Sequence, residues 1–271
     1  MGNCLFCGKA AQSHEDVIPI WLQKRLGSGH SLRLPDNTLM AYRHAKVPAC
    51  TLHNNRIFGP LEKRVSEGIA TELDVYVWAF KVHAGLLRMD QTVLRGLEKS
   101  EDINRQIDLF RKVVLVWEQG GTFLPSPPGS VFVLPALTDK TDWCHSPLGF
   151  VGITAKDRYY MVCLFDAGFA KTAGEIENWS AGKSTSDEAL LMQRHVIARM
   201  AYTVARSRLT PQAEIQLRPP SLTIHPPQFP SQLPPWDKTE FNSVASTFGF
   251  QERTDSGASY VEVIHPVPRY P

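Results

Sequence analysis

Long apolar runs are missing from this chain, and no segment approaches the ~20 consecutive apolar residues that a membrane-spanning helix requires. A charge imbalance is missing too. The 271 residues hold 29 Lys and Arg against 27 Asp and Glu, a formal charge of +2, which points neither to a strongly basic nucleic-acid protein nor to an acidic, solvating one. Cysteine is sparse. With five in all, three of them close to one pattern at the start of the chain, the count argues against a disulfide framework and for a reducing compartment where thiolates bind metal. The opening residues Met1-Gly2-Asn3-Cys4 lack the basic start and apolar stretch of a secretory signal, so a cytoplasmic protein with no membrane association is expected. No internal repeat is visible.

What the chain does contain is two x-x-spaced ligand pairs, Cys4-x-x-Cys7 and Cys50-x-x-His53. Each pair can hold one ion from a tight turn, and four sulfur or imidazole donors suit a structural, tetrahedral zinc. Gly8 directly follows Cys7, and a residue without Cβ takes the positive φ that a knuckle of amides around thiolates requires. Cys50 is expected at the entry of a helix, with His53 one turn in. The 42 residues between Cys7 and Cys50 exceed a compact finger and leave room for an inserted element that the ion does not touch. Cys163 lies in the apolar run from Tyr159 to Phe165 and reads as a buried, inert thiol. Locally the charge is less even. The first sixty residues carry Lys9, Lys24, Arg25, Arg33, Arg43, Lys46 and Arg56 against Glu15, Asp16 and Asp36, an excess compatible with a phosphate partner and equally with an ordinary solvated face.

The pattern divides at about residue 68, with a zinc module over 1–68 and a larger mixed domain over 69–271. Val75, Trp78, Ala79, Val82, Leu86 and Met89 fall at helical spacing, as do Ile103, Ile107, Phe110, Val114 and Trp117; each set predicts a helix with one apolar face. Gly120-Gly121 stops the second. Runs at 131–134, 150–154 and 159–165 predict strands, the last two joined as a hairpin through Ala155-Lys156-Asp157-Arg158. Thr185 and Glu188 have the form of a capping box opening a long helix toward Arg208. Eight prolines between 211 and 235 predict an extended Pro-rich strap anchored by Ile215, Leu217, Leu222, Ile224 and Phe229. A short helix at 241–248 and a strand at 260–264 close the chain. The fold class expected is α+β.

Cys-x-x-Cys-Gly, then Glu15-Asp16-Val17-Ile18-Pro19-Ile20-Trp21-Leu22, then Val47-Pro48-Ala49-Cys50-x-x-His53-Asn54-Asn55 and Leu61-Glu62, in this order, resemble the zinc-containing branch of the HNH endonucleases over about residues 4–65. The resemblance implies a ββα-metal fold and hydrolysis of nucleic-acid phosphodiesters, DNA foremost, in a setting such as restriction or phage defence. It places Glu15 and Asn54 as oxygen ligands of a catalytic divalent ion, Mg²⁺ or Mn²⁺, kept apart from the structural zinc by donor type. Such an ion would polarise the scissile phosphate and stabilise the leaving oxygen.

The chain departs from the family at position 16, where Asp stands in place of the usual His, and an ordinary Asp titrating near ~3.9 is a weaker base than a His near ~6.5. Four readings stay open. Asp16 acts as the base, Asp16 joins Glu15 at the metal, His14 substitutes from the same strand face, or the site is inactive. The last defines the alternative to the nuclease: a zinc-stabilised module that binds nucleic acid or protein without cutting. The exchange of Cys for His at 53 keeps an ordinary zinc ligand. His30 and His44, near Arg33, Arg43 and Lys46, are candidates for contacting a nucleic-acid backbone, and His44 also for a displaced base. Lys81 and His83 sit within a helix of core type, and His145 and His195 show no partner spacing. Residues 69–271 offer no motif and are expected to orient substrate, bind a protein partner or form a homo-oligomer.

Overall fold

The computed structural model describes residues 2–26, 31–33, 39–93, 101–124, 126–136, 143–146 and 149–164, with the strands 214–218, 221–225, 250–255 and 258–263. Its first element is a small knuckle closed by an antiparallel bridge between Asn3 and Ala10. Strand β1 (Ser13–Asp16) comes next and pairs antiparallel with β4 (Lys46–Ala49), Ser13 opposite Ala49 and Asp16 opposite Lys46. Between them lie helix α1 (Ile20–Leu26), the short antiparallel pair β2 (Ser31–Arg33) and β3 (Leu39–Ala41), and a 3₁₀ turn at Tyr42–His44. This is the inserted element that the Cys7–Cys50 spacing leaves room for.

After β4 the chain enters a helix directly, wound as a π-helix over Leu52–Phe58 and continuing as α2 (Gly59–Ser66). Helix α3 (Glu72–Val93) and α4 (Glu101–Glu118) come next. Strand β6 (Ser130–Pro135), β7 (Trp143–Ser146), β8 (Phe150–Ala155) and β9 (Arg158–Cys163) form one antiparallel sheet in the order β6-β9-β8-β7. Its β8–β9 hairpin turns at Lys156, φ 54°. The architecture is mixed α+β.

Helix α3 occupies the centre. Val75, Trp78, Ala79 and Val82 are fully buried, but so are Tyr76, Val77, Phe80 and His83 on its other sides. The expectation of a single apolar face is therefore corrected. A helix covered on all sides needs apolar residues all round, and α3 is covered by α4, α2, β4 and the sheet through β6 and β9. Tyr76 carries the contact to the sheet, donating from Oη to the Leu164 carbonyl at 3.0 Å. Helix α4, by contrast, is one-sided: Ile107, Phe110, Val113 and Val114 are buried while Asp108 and Leu115 face solvent.

Within the segment expected as a Pro-rich strap, residues 214–218 and 221–225 are strands. Strand β5 (Thr122–Leu124) lies parallel to β11 (Ser221–His225), which pairs antiparallel with β10 (Glu214–Arg218). The prolines flank these two strands rather than interrupt them, so ladder hydrogen bonding is kept where the β-branched and leucine residues lie. Strands β12 (Phe250–Asp255) and β13 (Ala258–Val263) make a further antiparallel pair. The helices expected at 185–208 and 241–248 lie outside the described residues, as do His30 and His195.

Candidate metal centre

The knuckle turns because Gly8 adopts φ 74°, which lets its amide donate to the Cys4 carbonyl at 2.9 Å while the Cys4 amide reaches the Lys9 carbonyl at 2.7 Å. Both sulfurs of Cys4-x-x-Cys7 thereby face one side. The Leu5 amide donates to the Pro48 carbonyl at 2.9 Å, so the knuckle leans on β4 just before Cys50. Helix entry then places Cys50 and His53 one turn apart, and the Asn54 amide donates to the Cys50 carbonyl at 3.0 Å.

The donor atoms of Cys4, Cys7, Cys50 and His53 all lie within 4.8 Å of one another. Cys7 Sγ stands 4.0 Å from Cys50 Sγ, and Cys50 Sγ 3.0 Å from His53 Nδ1. Ligands at about 2.0–2.3 Å from a tetrahedral zinc would be separated by about 3.3–3.8 Å, so small adjustments close the shell. The electrostatics ask for a cation. Burial opposes ionisation of Cys4, but its bond to His53 and the amides around it outweigh that and lower its thiol to about 6. Burial likewise opposes a charged His53, yet its bonds to Cys4, Glu118 and Cys50 push it up to about 11. Burial raises the Cys7 thiol. A zinc ion would take over the charge compensation that His53 gives Cys4, and the three-sulfur, one-imidazole donor set fits it as a structural ion.

His53 is oriented from outside the pairs. Its Nε2 lies 2.7 Å from Oε1 of Glu118 at the end of α4. Phe6 packs edge-on to Phe58 and Phe110 with ring centroids at 4.5 and 5.8 Å, and Arg111 Nε donates to the Leu5 carbonyl at 2.9 Å. No family model, curated protein or solved structure matches the chain. The centre is therefore read from its own geometry.

Strand β1 runs beside the four donors. Asn54 donates from Nδ2 to the His14 carbonyl at 2.9 Å and to Ser13 Oγ at 3.1 Å, and Ser13 Oγ in turn donates to the Ala49 carbonyl at 3.0 Å. Strand alternation decides which side chains of β1 turn inward. His14 is exposed, whereas Glu15 is buried at 5% exposure. Asp16 is half-buried and pairs with Lys46 at 3.2 Å. The Glu15 carboxylate meets the Lys81 ammonium, which also meets Glu62 from α2 and faces the Asp16 carbonyl at 3.5 Å.

Lys81 is 1% exposed. Burial disfavours its charge, but Glu62 and Glu15 hold its pKa above the ordinary lysine value. For Glu15, burial dominates over the attraction of Lys81 and, with the repulsion of Glu62, raises its pKa. Among the other candidates, exposed His44 takes a hydrogen bond from Arg43 Nε at 3.2 Å. His83 and His145 are buried together, Nδ1 to Nε2 at 2.8 Å, with His83 Nε2 2.9 Å from the Gln106 amide oxygen. Cys163 is buried, as its apolar run requires. Sequence reasoning missed Glu118 and the tie of Glu62 to Glu15. Neither has a spacing signal: Glu118 meets His53 across two intervening helices, and Glu62 is an ordinary helix residue until Lys81 is placed beside it. Among the described residues, no helix is long and apolar enough to cross a membrane.

Proposed function

We propose that the N-terminal unit is an HNH-type, ββα-metal scaffold pinned by zinc, and that the chain uses it to bind nucleic acid, DNA foremost. The observation that supports this reading is the charge left on its outer surface. Lys9, Lys24, Arg25, Arg43 and Arg56 are all exposed, while Glu15 is turned inward onto Lys81 and Asp16 is offset by Lys46. Cations exposed in excess of carboxylates bind phosphate backbones by releasing counterions. The catalytic Mg²⁺ or Mn²⁺ that the resemblance implies does not fit the residues as they stand, because Lys81 already compensates the Glu15 carboxylate. No step is assigned to such an ion.

The second reading is the endonuclease itself, and the Asn54 contacts favour it. They hold the helix against β1, with Asn54 bonded to Ser13 and to the backbone carbonyl of outward-facing His14. In that reading His14 or Asp16 takes a proton from the attacking water. One experiment separates the two. Full-length protein is assayed for binding to labelled DNA and RNA over a salt series, and for cleavage of plasmid DNA and RNA in Mg²⁺ and in Mn²⁺ between about pH 6 and 9. Binding that weakens in Arg43→Glu and Arg56→Glu, with no cleavage, supports the module. Cleavage lost in Asn54→Ala and in His14→Ala or Asp16→Ala supports the nuclease. Neither binding nor cleavage rejects both.

A further inference from the structure

The last turn of α4 carries a carboxylate where a helix prefers a cation. Unsatisfied carbonyls give a helix C-terminus partial negative charge, and the last turn of α4 holds no basic residue. Glu118 ends there because Gly120, at φ 62°, closes the helix: the Gly120 amide bonds the Trp117 carbonyl at 3.1 Å and the Gly121 amide the Val116 carbonyl at 2.9 Å, the pairing of a Schellman motif. The cap fixes the final turn, and with it the position of Glu118. What the carboxylate gains is His53, whose Nε2 lies 2.7 Å away while His53 is 5% and Glu118 21% exposed at the side chain.

The two ring nitrogens of His53 are thus divided between two jobs. Nδ1 is 3.0 Å from Cys50 Sγ and belongs to the four-donor group; Nε2 faces Glu118. A carboxylate that accepts Nε2–H fixes the tautomer, leaves the Nδ1 lone pair for the metal and raises its basicity. We infer that Glu118 is a positioning residue of the zinc centre, so that metal retention by the N-terminal unit depends on α4, an element outside the two ligand pairs. The Arg111 contact to the Leu5 carbonyl and the packing of Phe110 on Phe6 dock the same helix on the knuckle, which keeps the carboxylate in register with the ring. The zinc centre is then completed only when the two parts of the chain are packed together. Its four ligands alone hold the ion more weakly.

The test uses full-length, zinc-loaded protein competed against a chromophoric chelator, comparing wild type with Glu118→Ala, Glu118→Gln and Leu115→Ala. Zinc affinity is expected to fall about 10- to 100-fold in Glu118→Ala and by a smaller factor in Glu118→Gln, whose amide oxygen still accepts the ring proton. Leu115 is exposed on the same turn region, so Leu115→Ala reports general loosening of α4 and is expected to leave affinity unchanged. Cobalt-loaded Glu118→Ala should keep its thiolate charge-transfer bands and shift its ligand-field bands, because the sulfurs stay while the imidazole loosens. Equal zinc affinity in wild type and Glu118→Ala overturns the inference. So does an equal loss in Leu115→Ala, or a ligand-field spectrum identical to wild type. If Glu118→Ala fails to fold, Glu118→Gln carries the comparison, and its wild-type affinity and spectrum overturn the inference.

Discussion

Among the described residues, Lys81 is a charged side chain that is almost wholly buried. A buried ammonium is tolerated only with paired charge and hydrogen bonds, and here Glu15 from β1 and Glu62 from α2 supply both, with the Phe58 ring 5.6 Å from Nζ. Lys81→Met should therefore cost about 3–5 kcal/mol, because it strands two carboxylates in the interior. Urea unfolding of zinc-loaded protein measures this. A loss below about 1 kcal/mol would contradict the buried triad. The triple variant Glu15→Gln, Glu62→Gln, Lys81→Met should recover much of that loss, since neutral groups need no counter-charge. In the sequence, Lys81 is one polar letter in an apolar helix and Glu15 one member of an acidic pair. The four metal donors were legible there because their x-x spacing is itself the geometry of a turn. Glu15 was not, because what it touches is 66 positions away, a separation no local pattern encodes.

At the scale of elements, the helical spacing from Val75 to Met89 is enough to find α3, but its start is set by side chains that spacing does not reveal. Thr71 Oγ1 accepts from the Asp74 amide at 3.1 Å and Asp74 Oδ2 accepts from the Thr71 amide at 3.2 Å, a capping box with Asp where Glu or Gln is usual. Arg64 of α2 closes it with two bonds to Asp74, at 2.7 and 3.0 Å. Burial opposes ionisation of Asp74, but Arg64 and Thr71 outweigh it and hold the carboxyl below its ordinary value. A carboxyl whose folded pKa is depressed contributes stability that is present above its unfolded pKa and lost as pH falls through the folded one. Asp74→Asn should cost about 1.5–3 kcal/mol at pH 7, and the gap to wild type should narrow progressively below pH ~4. A gap independent of pH would contradict the ion pair. The contact between α3 and the sheet is equally specific. A Cβ at Gly129 would collide with the Cys163 carbonyl oxygen and stand 2.7 Å from the Tyr76 ring. Gly129→Ala is expected to lower stability by about 1–3 kcal/mol, read as a lower unfolding midpoint at constant m-value. An unchanged midpoint would mean that the strand yields freely.

Across the whole molecule, one cluster of buried side chains runs from Leu5 and Phe6 in the knuckle through Trp78 and Phe80 of α3 and Phe110 of α4 to Tyr160 and Val162 of β9. The α+β class, both central helices, the β8–β9 hairpin and the metal donors could be read from periodicity and spacing. The strand pair at 214–225 could not, because proline density argues for an extended strap while saying nothing of which edge the strap joins, and β5 is a three-residue partner. The all-round burial of α3 was hidden for a similar reason: periodicity reports one face, and coverage of the others depends on elements distant in sequence. The donor atoms of Cys4, Cys7, Cys50 and His53 lie within 4.8 Å of one another, and the direct measurement of a zinc there is the metal content of the purified full-length protein. Elemental analysis should find about one zinc per chain, and Cys50→Ala should lose it together with the knuckle's protection from hydrogen exchange. Protein that carries no zinc after purification without chelators, or a Cys50→Ala variant that retains it in full, would contradict the account.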